Sequence, residues 1–570
     1  MELFEQSPRR RRGRATFALT TLCLGLLLAL AACTFPGTPI ADPTATTAAT
    51  ATVAAAANTP TVVATAAASA TRGASATASP TASATARPSA TPTRAGTPAA
   101  NATPTRPAAT PTRGTATPGR GTATPVSGRG TPTATREPFT PTADEPCRDA
   151  DLEQPPLPEG AATLATIEQA YRCILLNYVD RNSGLDNKVL LNGAWDIFKQ
   201  AGLPAADVPT LALTGDRDAD WQVYAARYNI LLQKYGRAID TSLLARVALD
   251  GMARSLNDNH LSYLGPKLWQ RFQLELSGDN KAIGPGFDLT TDDDSKSFYL
   301  YEVYPDTPAA RAGLRAGDVI EQVNGREAQV GTGNQGLYDL LTGAVGTQAT
   351  LRVNRPATKQ TLNVSVSVAE YSLPVISSRV LEGGVGYIKL RAFSITADQE
   401  FDTALAALQA QGITALVFDV RQNGGGSTDA LAHILSHFSH QGPHAITIDA
   451  DGKRTEENPD PDVPLLGLPW VVLSNGTSAS SADITAAFAK DRGGYLIGTK
   501  SAGALGSAQV FELAEGSALE ITVQRVLGPD GEEINNVGVT PNQVVAITPA
   551  DISAGNDPQL AAALAYLRTK

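Results

Sequence analysis

Cysteine and histidine are scarce in this sequence, four and five residues among 570. The cysteines, Cys23, Cys33, Cys147 and Cys173, show no zinc-ligand spacing, which argues against a thiolate-bound zinc module. Of the histidines, His433, His437, His440 and His444 crowd into "HILSHFSHQGPH", and His260 stands alone in "LNDNHLSYL". His433 and His437 have the i, i+4 spacing of a metal-binding pair. No acidic residue lies inside that run, however, and a helix end favours cationic side chains. A solvated helix terminus is expected there, with no metal and no cofactor. Positive charge is also short: the net charge is −10. Because the N-terminal part of the chain is basic, the remainder is more acidic still, which argues against nucleic-acid binding.

The N-terminus combines Arg9 to Arg12 and Arg14 with an apolar stretch from Ala15 to Ala32. A basic segment, an apolar segment and small residues before Cys33 read as a secretory signal. Leu30-Ala31-Ala32-Cys33 resembles a bacterial lipobox, in which the cysteine carries lipid and becomes the new N-terminus. A plain signal-anchor helix is the alternative, although the stretch is at the short end for a membrane span. Both readings put the bulk of the chain outside the cytoplasm, on the cell surface or in the periplasm, and tethered to a membrane. From Thr34 to about Thr142 the chain is almost entirely Ala, Thr, Pro, Ser, Gly and Arg, with "TPTR" recurring at 91, 103 and 110. Aromatic and branched core residues at regular spacing are missing, so too little apolar surface is available to offset ordering. This segment is predicted to be a disordered stalk. Cys147 and Cys173 remain after the signal and lipid cysteines are set aside. An oxidising compartment favours a disulfide between them, with two free buried thiols as the other reading.

The expected organisation is a signal over 1–33, a stalk over 34–145, a helical domain over 146–276, an inserted domain over 277–369 and an α/β core over 370–570. "ATIEQAYRCILLNYV", "WQVYAARYNILLQKYG" and "TSLLARVALDGMARSL" carry apolar residues at helical spacing. Past about Ser277 short alternating runs begin. "GPGF" (284–287), "TPAARAGL" (307–314), "GDVIEQVNG" (317–325) and a last strand near "QATLRVNR" together resemble a PDZ domain. That resemblance implies a loop at Gly284, Gly286 and Phe287 whose amides hold a peptide carboxylate, with the following strand accepting the peptide by strand addition. "TTDDDSK" (290–296) has neither the flanking helices nor the distal glutamate of a calcium loop and reads as a hairpin tip. After about Glu370 strands and helices alternate, which predicts a mainly parallel sheet with crossover helices. The last strands, around "QVFEL" and "LEITVQRV", look antiparallel.

Two stretches of the core carry chemistry. "FDVRQNGGG" (418–426) ends a buried strand in glycines that can bend sharply and aim N–H groups at a developing oxyanion. "SNGTSASSADI" (474–484) sets serines at the start of a helix, where a nucleophile is electrostatically favoured. Together with the order of helices, PDZ and α/β core, these motifs resemble the C-terminal processing (tail-specific) serine proteases over about 400 residues. The resemblance implies a crotonase-like βαβ core and an endopeptidase acting on polypeptides with free C-termini. With Asp483 aligned to the family's glutamate, it places the nucleophile at Ser480, with Ser478 and Ser481 competing. It places oxyanion donors at the amides of Gly425 and Ser481, and an ion pair between Asp419 and Arg421.

The family's usual base is a lysine about 25 residues beyond the serine. Here that segment is "SAGALGSAQ" (501–509): Gln509 matches the family glutamine, but Leu505 or Ala504 stands at the lysine position. Lys500, a few residues upstream, is one replacement. His260 is the other, because Leu256, Asp258 and His260 match the L-x-D-x-H of relatives that use a histidine. Histidine is preferred, since its ordinary pKa lies near operating pH. With no base at all the chain would be an inactive, peptide-binding lipoprotein.

Overall fold

The computed structural model describes residues 139–570, apart from 143–144, 153, 155–156, 293–295, 329–336, 338–339 and 342. The expected signal, Cys33 and nearly all of the stalk lie outside the described residues, as does the tip of the 290–296 hairpin.

The first described region is helical: α1 (Leu164–Asn177), α2 (Asn187–Gln200), α3 (Arg217–Tyr235) and α4 (Thr241–Arg254). Aspartates start three of them. Asp186, Asp216 and Asp240 each accept N–H bonds from the first turn of α2, α3 and α4, which satisfies donors a helix cannot pair internally. The apolar stripes meet in one core in which Trp195, Phe198, Tyr224 and Tyr228 stack on or abut one another. Cys147 and Cys173 are joined by a disulfide that fastens the entering chain to α1. After α4 comes the short strand β1 (Ser262–Leu264), then α5 (Pro266–Ser277).

The next sheet contains β2 (Phe287–Asp292), β3 (Ser297–Val303), β4 (Val319–Val323), β5 (Gln348–Arg355) and β6 (Gln360–Ser367), hydrogen-bonded in that order. The expectation of a last strand near "QATLRVNR" is corrected by β6, which pairs with β5 over its whole length. Its alternation, with a single fully buried position at Val366, is the weak pattern of an edge strand. Lys281–Gly284 and Ala369–Ser372 pair to close the entrance and exit of this region. Ion pairs join it to the next segment of chain: Arg391 meets Glu302 at 3.0 Å and Asp288 at 3.5 Å, and Lys389 pairs with Glu302.

The remaining elements are β7 (Ile376–Val380), β8 (Val385–Leu390), α6 (Ala397–Ala410), β9 (Ala415–Asp419), α7 (Thr428–Ser436), β10 (Ala445–Ile448), β11 (Arg454–Glu457), β12 (Trp470–Ser474), α8 (Ser481–Asp491), β13 (Tyr495–Gly498), β14 (Ser507–Glu512), β15 (Ala518–Leu527), β16 (Gln543–Val544) and α9 (Pro558–Leu567). One sheet runs β7-β8-β9-β12-β13-β16, antiparallel only between β7 and β8. Every residue of β8, β9 and β12 is buried, as expected where helices cover both faces of a parallel sheet. The second sheet is antiparallel. It joins β14, β15, β10 and β11, and β1 adds to β15 with Ser262 opposite Glu520. That pairing carries the segment just before β1 to the α/β core.

Candidate active site

Three adjacent parallel strands end at the same edge of the core sheet. β9 runs into Val420–Ser427, β12 into Asn475–Ser480 and β13 into Thr499–Gly506. The carboxyl edge of such a sheet is where ligands bind.

Short polar side chains lace these loops together. The Asn475 side-chain oxygen accepts from the Gln422 N–H at 3.1 Å. The buried Ser478 hydroxyl donates to the Val420 carbonyl at 2.8 Å and accepts from the Asn475 N–H at 3.0 Å. The Ser481 hydroxyl, also buried, donates to the Gly426 carbonyl at 3.0 Å. Two of the three candidate serines are therefore committed to holding the loops. Ser480 differs. It is half-buried, occupies the N-cap of α8, and has φ +54° and ψ −118°. A non-glycine residue at positive φ stores strain of about 1–3 kcal/mol, and such strain concentrates at functional sites. The strand-turn-helix setting places the serine at the start of a helix, beside the Ser481 amide.

Asp483, one turn into α8, holds that conformation. Its carboxylate is fully buried and accepts from the Ser480 N–H at 3.0 Å, the Gly503 N–H at 2.9 Å, the Ala504 N–H at 3.1 Å and the Ser501 hydroxyl. Burial pushes its pKa up to about 7, against the pull of those four donors. The Ser480 N–H also donates to the Ala504 carbonyl at 2.8 Å. The third loop is thus fixed to the Ser480 backbone.

Gly425 lies directly against Ser480: a Cβ there would stand 2.6 Å from the serine Cβ and 3.1 Å from its Oγ, and φ is +106°. Its N–H donates to the Asn423 side chain at 2.8 Å. The expected donor is adjacent to the serine but turned to Asn423 in this conformation. The amide of Ser481 occupies the first position of α8, where an N–H has no partner within the helix. Asp419 and Arg421 are paired at 2.6 Å, and Arg421 reaches on to Asp557 and Gln559 near the start of α9. Burial opposes the Asp419 charge, but Arg421, Lys389 and Tyr387 together hold its pKa below the ordinary value.

At the position of the usual lysine, Leu505 is buried in the hydrophobic core, and Ala504 packs with Ala479 and Ala502. Lys500 is exposed beside Gly538. A lysine base needs burial to hold its amine neutral, and this side chain is not buried. His260 is buried, and its ring lies on the third loop: a Cβ on Gly506 would meet Nδ1 at 3.4 Å. Ser480 and His260 flank the same short segment, Ala504 to Gly506, whose two Cα–Cα steps span at most about 7 Å. Burial pushes the imidazole below its ordinary pKa, and the Asp258 charge offsets part of this. The Asp258 carboxylate itself binds the His260 backbone N–H at 2.8 Å, Tyr178 at 2.9 Å and Thr522 at 2.9 Å. It sets the turn that carries the histidine. Gln509 is exposed on β14, and strand alternation puts it on the opposite face from Ala508 and its partner Thr522. It is not brought to His260.

The expected peptide loop takes its shape from Gly286, at φ +95°, where a Cβ would stand 2.1 Å from that of Thr307. Phe287 is buried in the core of its own sheet and opens β2, which has β3 as its one partner in the described sheet. Gly284 is held opposite Ala369 in the closing ribbon.

Residues 384–545 match the profile of peptidase family S41, and residues 299–355 match that of the PDZ domain. The carboxyl-terminal-processing protease of Picosynechococcus sp. is 30% identical over 349 residues, which are 59% of this chain and 83% of that protein. The chain belongs to the carboxyl-terminal processing protease family. The carboxy-terminal processing protease CtpB of Bacillus subtilis is 28% identical, over 62% of this chain and 74% of the relative. A solved photosystem II D1 C-terminal processing protease matches with TM-score 0.44 at 24% identity, over 68% of this chain and 93% of that one. Carboxyl-terminal processing proteases are serine-type hydrolases, and the three-loop edge lies within the S41 match of this one.

Two positions at this edge, Asp483 and Gly506, carry little signal in the sequence. Asp483 served there as an alignment mark, although an acid three residues past a serine signals a capping arrangement. Gly506, which admits the histidine ring, gave no signal beyond being a glycine.

The raised acids set a pH dependence. Asp483 at about 7 and buried Asp250 at about 6 titrate near 3.9 when unfolded. Half-buried Glu520, pushed to about 8 by burial and Asp258, adds the same sign. As pH falls from 8.5 to 6.5 the folded chain takes up protons that the unfolded chain does not, so stability rises. Below about 6.5, His260 and His444, both depressed by burial, begin to oppose the gain. Calorimetry across this range should show the midpoint rising by about 1–3 °C toward pH 6.5, with a shallower slope in Asp483→Asn. A midpoint that falls toward pH 6.5 would contradict the assignment.

Proposed function

We propose that the chain is a membrane-tethered, extracytoplasmic serine endopeptidase that trims or degrades polypeptides, with its PDZ domain reading their free C-termini. The observation that carries the catalytic reading is the division of labour among the serines: Ser478 and Ser481 spend their hydroxyls on backbone carbonyls, while Ser480 sits strained at the helix start. In this reading Ser480 Oγ attacks the peptide carbonyl carbon and His260 takes its proton. The amides of Ser481 and Gly425 hold the oxyanion, the latter after turning from Asn423. Collapse breaks the C–N bond, the proton passes to the leaving amine, and water then releases the acyl group by the same route. The domain boundaries expected from the sequence, a helical domain to about 276, an inserted PDZ domain to about 369 and a crotonase-like core beyond, fit this division of labour.

Kinetics test it. Ser480→Ala and His260→Ala should each lower kcat/KM by at least about a thousandfold, and the double variant should lose little more, since the two act as a unit. Lys500→Ala should change it by less than about threefold. Activity should rise with pH through a midpoint below the 6.5 of an ordinary histidine, because burial depresses His260. Abolition of cleavage by Lys500→Ala, with His260→Ala near normal, would reverse the assignment of the base. If no peptide is cut and Ser480 resists fluorophosphonate labelling, the catalytic reading fails.

Support for the PDZ role comes from β2, with a single sheet neighbour among the described residues, and from the Gly286 turn beside it. Peptides with a free apolar C-terminus should bind at least about tenfold more tightly than their amidated forms, a difference of about 1.4 kcal/mol. Equal affinities in a fluorescence titration would exclude a carboxylate reader.

Tethering rests on "LAAC" alone, since no helix among the described residues is long and apolar enough to cross a membrane. Mature protein should begin at a lipid-modified Cys33 and sediment with membranes, and Cys33→Ala should release it. Mass spectrometry that finds an unmodified chain starting elsewhere would refute the anchor.

A further inference from the structure

The histidine run does not form the solvated helix end its sequence suggests. His433 lies in α7 and His437 caps its C-terminus, so the i, i+4 spacing sets both rings on one face, 5.4 Å apart. Asp402, on the neighbouring helix α6, reaches between them. His433 Nε2 lies 3.1 Å from each Asp402 carboxylate oxygen, and His437 Nε2 lies 2.7 Å from Oδ1. The potential donor atoms of the three side chains all fall within 4.8 Å of one another.

The other nitrogen of His437 sharpens the geometry. Nδ1 is 2.9 Å from the Pro464 carbonyl. A carbonyl only accepts, so Nδ1 carries the hydrogen. Nε2 then faces the carboxylate oxygen, and either a proton or a metal ion between the two completes the contact. An imidazole oriented by a backbone carbonyl behind it, with its free nitrogen beside a carboxylate and a second imidazole, has the arrangement of a metal ligand. With bonds of about 2.0–2.2 Å at near-tetrahedral angles, ligand atoms stand about 3.3 Å apart. To make room, His437 Nε2 would move about 0.6 Å away from Asp402 Oδ1 and His433 Nε2 about 0.2 Å. His437 is buried while Asp402 is exposed, so the pocket is walled on one side and open to water ligands on the other.

We propose that Asp402, His433 and His437 form a binding site for a divalent transition-metal ion of the zinc class, which clamps α6 to α7. Two imidazoles and one carboxylate suit zinc, cobalt or nickel better than magnesium or calcium, which prefer all-oxygen shells. The clamp would act at the far end of the helix that begins directly after the Gly424–Gly426 loop.

Cobalt tests this directly. Purified, untagged full chain, stripped with a chelator, should bind one Co2+ per chain in the micromolar range, with visible d–d absorption of a nitrogen- and oxygen-ligated ion. Zn2+ should displace it and raise the melting temperature. His433→Ala and Asp402→Asn should each weaken binding by at least about tenfold, whereas His440→Ala, whose ring bonds the Val463 carbonyl at 3.0 Å, should not. Asp402→Asn nearly preserves the shape of an exposed side chain, so its loss of binding would not be a loss of fold. The absence of saturable binding up to millimolar Co2+, or unchanged affinity in both variants, would overturn the proposal. Equal weakening by His440→Ala would overturn it too, because the ion would then sit elsewhere in the run.

Discussion

The buried carboxylate of Asp483 is the contact on which the active edge depends. A carboxyl group in a fully buried position is tolerable only if its oxygens are satisfied, and here four donors converge on them from two loops. The convergence does more than solvate the acid. It fixes the Ser480 backbone at positive φ, and it fixes residues 501–504 to the start of α8. Because Ser480 also bonds the Ala504 carbonyl, the chain arrives at Gly506, and hence at the His260 ring, from a position set by the helix that Ser480 caps. The relation between serine and histidine is therefore a property of the backbone as much as of the two side chains.

The proposed use of a histidine in place of the usual lysine fits how this edge is filled. A lysine base projects from the third loop and must be desolvated there. In this chain that volume is hydrocarbon: Leu505 faces the core, and Ala504 packs on Ala479 and Ala502. An imidazole can instead come from across the cleft, because β1 adds to β15 and brings the residue two positions before β1 onto the loop. Asp258 makes that delivery accurate by using its carboxylate on backbone and neighbours, leaving the ring free to face the loop.

Much of this was legible in the sequence, and the hidden part has a common cause. The serine motif, the Asp419–Arg421 pair, the glycine turn and His260 are recognisable because their constraints are local: a strand end, a tight turn, a helix start. The resemblance named Ser480, with Ser478 and Ser481 competing; the hydroxyl partners that set those two apart, at Val420 and Gly426, lie more than fifty residues away and were not legible. The same holds for Asp557 and Gln559 behind Arg421, supplied by the C-terminal helix. The histidine run lacked an acid within its own segment, so its spacing read as a helix terminus. Asp402 is 31 residues from His433 in sequence and adjacent only after α6 and α7 pack. Edge strand β6 escaped because its half-exposed alternation carries little burial signal.

The Gly425 amide shows how the same loops would meet a substrate. Asn423 is fully buried: its amide nitrogen donates to the Leu390 carbonyl at 3.0 Å, its oxygen accepts from Gly425, and its own carbonyl accepts from Ala479. Turning the Gly425 N–H toward an oxyanion breaks one of these bonds and leaves a buried oxygen unpaired, at a cost of about 1–3 kcal/mol. Glycine at 424, 425 and 426 makes the rotation sterically open, whereas a side chain at 425 would strike Ser480. A charge-assisted bond to the oxyanion is stronger than the neutral one it replaces, so the exchange becomes favourable only as negative charge develops. In the proposed reaction, a loop that costs energy to open in the free protein would favour the transition state over the bound ground state.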